Sequence, residues 1–164
     1  MARFRNGLPG EETPMRTLVW CTIALAAAQV AAAAPGTVVA LRATLTPRAQ
    51  LPAPNGDVGA ARGSFRATFD RASATLRWRL TSSELTGHAV AAFVHRGGPR
   101  HVTDPSGSDR VARLCGPCPS TASGVVRVPP RTFAALLARH QAYVDVQTDA
   151  NVSGEIRGPI VVAK

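Results

Sequence analysis

The chain has 164 residues, room for one domain with a proper core and hardly for two. Hydrophobic residues make up 45% of it but aromatics only 5%, so a core must be filled mainly by Val, Leu and Ala. The formal charge of +9 comes almost wholly from arginine, Lys164 being the only lysine; this reads as the bias of a GC-rich coding sequence, predicts no specific nucleic-acid site, and leaves weak, non-specific attraction to acidic surfaces.

Arg16 precedes an uncharged run from Thr17 to Ala34, which ends in the Ala31-Ala32-Ala33 pattern that signal peptidase accepts. We read residues 1–33 as a leader with a secretory signal peptide and residues 34–164 as a single β domain. Glu11, Glu12 and Pro9 suit no signal peptide, which makes Met15 a candidate true start. The second half of the run is mostly alanine and stops at Pro35, unlike a membrane anchor. Cys21 lies inside the run rather than after it, unlike a lipoprotein. The expected location is therefore secreted or periplasmic, with no membrane span after cleavage.

Thr37 to Thr46 alternates around Val39, Leu41, Ala43 and Leu45, the period of a strand with one buried face. Prolines 47, 52 and 54 and the Asn55-Gly56-Asp57 group then predict an exposed loop. Gly63 to Asp70 sets Phe65, Ala67 and Phe69 against Ser64, Arg66 and Thr68; after a turn at 70–73, Leu76, Trp78 and Leu80 alternate with Arg77 and Arg79. The two read as a hairpin with an apolar side and an arginine side. Arg66, Arg77 and Arg79 are either the ordinary solvent face of such a strand or an anion or glycan surface.

His88 to Gly97 predicts an apolar strand ending in His95, followed by a Gly, Pro, Asp and Ser loop over 98–107 and a short strand over Arg110 to Leu114. Cys115-Gly116-Pro117-Cys118 has thioredoxin-like spacing, but Pro119, Ser120, Thr121, Ser123 and Gly124 follow it, which is loop composition and not a long helix. In an exported chain the pair is expected to form a structural disulfide, with a redox-active pair as the alternative. Gly124 to Val128 predicts another strand. Thr132 is the expected N-cap of a short helix, Phe133 to His140, packing across one end of the barrel.

The most informative stretch is Ala142 to Pro159. A strand with alternating faces, Tyr143 to Thr148, meets a polar turn at Asp149, Ala150 and Asn151, and then Gly154-Glu155-Ile156-Arg157-Gly158 enters a last apolar run to Val162. Pro159 removes a ladder donor and predicts an edge or a bulge. Glu155 and Arg157 share strand parity and read either as a recognition pair or as a salt bridge or hydrogen bonds fixing the hairpin. Counting strands gives about eight with regular turns and one short helix, an all-β antiparallel sandwich or barrel.

This closing stretch resembles the end of the chordin-type (CHRD) domain, whose members end in a strand like YVNVHT, a turn and GEIRGQI. Ala91, Ala92, His95, Arg96 and Gly97 resemble a second family strand, AAHIHRG. The resemblance implies a Greek-key β-sandwich, similar in architecture to immunoglobulin-like or copper/zinc superoxide dismutase folds. It singles out His95, Gly97, Tyr143, Thr148, Gly154, Glu155, Ile156, Arg157 and Gly158 as motif residues. Where the family carries a His-x-His pair this chain has Phe93 in place of the first histidine, and Gln147 stands where the family often has histidine.

Two histidines two apart on a strand, with a third from a neighbour, could ligate zinc or copper. Phe93 offers no donor and Gln147 only a neutral oxygen, so no metal ligands, catalytic residues or cofactor are assigned. No nucleophile, base and acid trio, glycine-rich phosphate loop or paired carboxylates stand at recognisable spacing. The expectation is a secreted, non-enzymatic structural or binding module with an extracellular protein or glycan partner. The alternatives are a metal-dependent oxidoreductase using His95 and a thiol–disulfide oxidoreductase using Cys115 and Cys118.

Overall fold

The computed structural model describes residues 37–164, so the signal-peptide and Met15 readings lie outside the described residues. Two antiparallel sheets face each other. One contains β1 (Val38–Leu45), β2 (Arg62–Asp70), β3 (Thr75–Ser83), β6 (Thr121–Arg127) and β9 (Val161–Val162), in the order β6-β3-β2-β1-β9. The other contains β4 (Ala89–Arg96), β5 (Arg110–Cys115), β7 (Ala142–Thr148) and β8 (Ile156–Pro159), in the order β5-β4-β7-β8. The chain crosses between sheets after β3, β5, β6 and β8, and α1 (Pro130–Ala138) lies on the third of these crossings. The all-β sandwich with one short helix is what the strand pattern predicts.

Period-two patterning sets the register. In the β2–β3 hairpin Phe65 faces Leu80, Ala67 faces Trp78 and Phe69 faces Leu76, all buried, while the residues between them point outward. Asp70 fixes the turn, accepting hydrogen bonds from Ala72 N at 2.9 Å and Ser73 Oγ at 2.7 Å. From the second sheet Ala92, Val94, Val144, Val146 and Ile156 complete a largely aliphatic core. Phe133 from α1 joins it edge-on against Phe69, with ring centroids 4.9 Å apart.

Several boundaries differ from the sequence reading. The helix begins at Pro130, not after a Thr132 cap; Pro129 occupies the N-cap position without a side-chain bond. Proline's fixed φ and missing N–H suit the first helical position, which explains the earlier start. The helix ends before His140, which adopts φ 54°. β6 starts at Thr121 rather than Gly124, because an edge strand needs only the one ladder it forms with β3 and tolerates small polar residues. The final run divides into β8 and β9 around Ile160, where Pro159 ends one ladder and the chain crosses to the other sheet.

The two sheets join along one side. Thr46, just beyond β1, exchanges backbone hydrogen bonds with Arg157 at 3.0 and 3.1 Å, while β1 pairs with β9 through Leu41 and Arg42. Gly158 permits this closeness, since a Cβ there would collide with the Thr44 carbonyl oxygen. The alternation expected of β7 is not seen: all seven of its residues are buried, one side by the core and the other by loops. That second cover creates the polar interior described next.

Candidate functional site

His95 on β4 is fully buried between two carboxylates. Its Nδ1 lies 3.0 Å from Asp109 Oδ1, and its Nε2 lies 3.0 Å from Asp145 Oδ1. Asp145 comes from β7, the strand paired with β4, whereas Asp109 arrives from the loop immediately before β5. Tyr143, two residues before Asp145 and so on the same face, stacks on the imidazole with centroids 5.0 Å apart and planes 7° apart. Its hydroxyl donates to Asp109 Oδ2 at 3.0 Å and sits 3.3 Å from Thr103 Oγ1. His101 Nε2 reaches the same carboxylate at 3.2 Å.

A carboxylate at each ring nitrogen favours the form in which both nitrogens carry hydrogen, the imidazolium. Burial works against that charge, but the hydrogen bonds and charges of Asp145 and then Asp109 outweigh it and raise the pKa above the ordinary histidine value. For Asp109 burial pushes upward, and the bond and charge of His95 more than reverse it, leaving its pKa lowered. Tyr143 moves upward, chiefly through burial. Asp145 Oδ2 is buried with no hydrogen-bond partner among the described residues, which leave the cluster one donor short.

Arg157 completes this region from the other side. Its guanidinium lies 3.8 Å from the Tyr143 ring centroid and donates to the carbonyls of His101 at 2.6 Å and Gly98 at 2.9 Å. Gly97 accommodates the loop at φ 148°, where a Cβ would strike the His101 ring. Glu155 serves a second loop system. It accepts hydrogen bonds from Thr86 N at 2.7 Å, Thr86 Oγ1 at 2.8 Å and Thr148 Oγ1 at 2.7 Å, with Asn151 Nδ2 at 3.4 Å. Gln50 Nε2 donates to Ser153 O at 2.6 Å and borders Gly154.

Glu155 and Arg157 are therefore both buried, make no ion pair with each other among the described residues, and each ties down a different loop. Ile156 between them points into the core. Phe93, two residues before His95, approaches it edge-on at 5.7 Å and is covered by the Arg110 guanidinium at 4.3 Å. Gln147 is also buried, and among the described residues no three His, Cys, Asp or Glu side chains are grouped as metal ligands. Cys115 and Cys118 form a disulfide, with Cys118 buried against the core and Cys118 N bonded to Ala89 O at 2.9 Å.

Sequence reasoning placed His95, Tyr143 and Arg157 but missed Asp109 and Thr103, which lie in or beside a loop of exposed composition. Asp145 falls within the predicted strand Tyr143 to Thr148 with no role assigned to it. Flanked by Val144 and Val146, Asp145 reads as the wet side of an alternating strand, so nothing local marks the buried cation opposite it.

A family model described as CHRD domain matches residues 41–160. No curated protein and no solved structure matches the chain.

Proposed function

The chain belongs to the CHRD domain family, and from that premise we propose that it is an exported, non-enzymatic domain acting as a structural or binding module outside the cytoplasm. The observation that carries this reading is that the motif's ionisable side chains are committed inward. Both nitrogens of His95 face carboxylates, Glu155 accepts from the Thr86–Thr148 system, and Arg157 is held by two carbonyls and an aromatic ring. Residues that elsewhere would move protons or hold a metal here organise the loops over the second sheet. An imidazolium has no lone pair to offer a cation. No helix of the described residues is long and apolar enough to cross a membrane.

The Cys115–Cys118 bond fits the same reading as a staple at the end of β5. The test combines two measurements on the purified exported chain. Equilibration in glutathione buffers is expected to place the disulfide below about −300 mV; a potential of roughly −120 to −270 mV would favour a thiol–disulfide oxidoreductase. Elemental analysis of the unmodified chain and His95→Ala is expected to find no stoichiometric metal in either. Zinc or copper present in the first and lost in the second would restore the metal-dependent reading.

A further inference from the structure

We propose that the outer face of the five-stranded sheet binds an acidic polysaccharide, a polymer carrying carboxylate or sulfate groups among hydroxyls. This rests on the binding-module reading and names its ligand class. Strand register places Arg42 opposite Arg66 and Arg66 opposite Arg79, forming an unbroken row across β1, β2 and β3. Neighbouring strands lie about 4.8 Å apart, so three guanidinium stems rise within roughly 10 Å. Arg77 and Arg127 extend the positive face on β3 and β6.

All five arginines are exposed, and none has a hydrogen-bond or ion-pair partner among the described residues. The nearby acids are occupied: Asp70 folds back onto Ala72 and Ser73, and Glu84 is taken by Arg62 at 2.7 Å. Like charges directly opposite on neighbouring strands are destabilising. Two such juxtapositions in one row work against the fold, and a bound polyanion would neutralise both.

A second row runs beside the first. Two residues along each strand, Thr44, Ser64, Thr81 and Thr121 lie side by side in register, with Ser64 Oγ and Thr81 Oγ1 2.8 Å apart. With Arg62 and Ser120 they border a groove of about 520 Å³. Hydroxyls next to guanidiniums suit a ligand that alternates hydroxyl and anionic groups, because each can both donate and accept while arginine only donates. The aromatic residues of these strands, Phe65, Phe69 and Trp78, are buried on the opposite face. The face therefore lacks the stacking platforms on which single-stranded nucleic acids are held.

The test titrates the exported chain with fluorescent fragments of a polyuronate and of a sulfated glycosaminoglycan, over a range of salt. Parallel titrations use duplex DNA and phosphatidylglycerol-containing vesicles. The triple variant Arg42→Ser, Arg66→Ser, Arg79→Ser is expected to lose about tenfold or more in affinity with a shallower salt dependence. A charge-matched control, Arg48→Ser, Arg131→Ser, Arg139→Ser, is expected to bind as the parent does, and Ser64→Ala with Thr81→Val to weaken the polysaccharides several-fold at unchanged salt slope. Equal loss in both triple variants would reduce the effect to net charge and overturn the site. Tighter binding of DNA or vesicles than of either polysaccharide would overturn the ligand class. No binding at low salt would overturn the inference while leaving the module reading standing, since that is decided by the metal and redox measurements.

Discussion

His95 is the residue whose environment makes the sharpest claim. Its folded pKa is raised, so the stabilisation it supplies is complete below its ordinary value of 6.5 and is lost as the pH climbs through the folded value. Asp109 acts with the opposite sign: its pKa is lowered, so its contribution is present above 3.8 and lost as the pH falls through the folded value. The network is thus at full strength between these limits, and chemical denaturation followed against pH is expected to show stability declining on both sides. His95→Gln leaves two buried carboxylates without their cation and should cost about 3 to 5 kcal/mol. It should also flatten the alkaline decline, and an alkaline limb unchanged in this variant would mean that another group produces it.

At the scale of elements, the sandwich depends on strand β8 lying hard against the end of β1. Gly158→Ala drives a methyl into the Thr44 carbonyl, which is backbone and cannot swing aside, so a loss of about 3 kcal/mol or more is expected in urea unfolding. Gly98→Ala, with open space around the new methyl, should change stability by less than about 0.5 kcal/mol. The disulfide at the end of β5 closes a very short loop, so Cys115→Ala with Cys118→Ala should cost no more than about 2 kcal/mol at 25 °C. Strands with one wet face were legible in the sequence because burial repeats every second residue, as in Phe65, Ala67 and Phe69. β7 was not, because what covers its second face comes from elsewhere in the chain: Thr103 and Asp109, 40 and 34 positions away, reach Tyr143. No local period encodes such cover, and for the same reason the loop residue Asp109 could not be recognised as part of the buried cluster.

For the whole of the described domain, the two sheets divide the work: one side is consumed by loop-anchoring bonds, the other presents to solvent arginines with no partner among the described residues. Arg66 faces an arginine on each flanking strand, so Arg66→Ser is expected to stabilise the protein by about 0.5 kcal/mol at low salt, and the gain should vanish near 1 M salt as the repulsion is screened. A stability loss at low salt would show that Arg66 has favourable contacts instead. The bonds that seal the sandwich also set an order of events in time. Gln50 bonds Ser153 across 103 positions of sequence, Asn55 bonds Asn151 across 96, and Thr46 waits for Arg157. Contacts so far apart in the chain slow the search for the native state, into the millisecond-to-second range for sandwiches of this kind. Until β8 and β9 have been made, β1 pairs only with β2 and its far edge has nothing to close against. The seam between the two sheets therefore closes late, once β1 and the closing strands are both present.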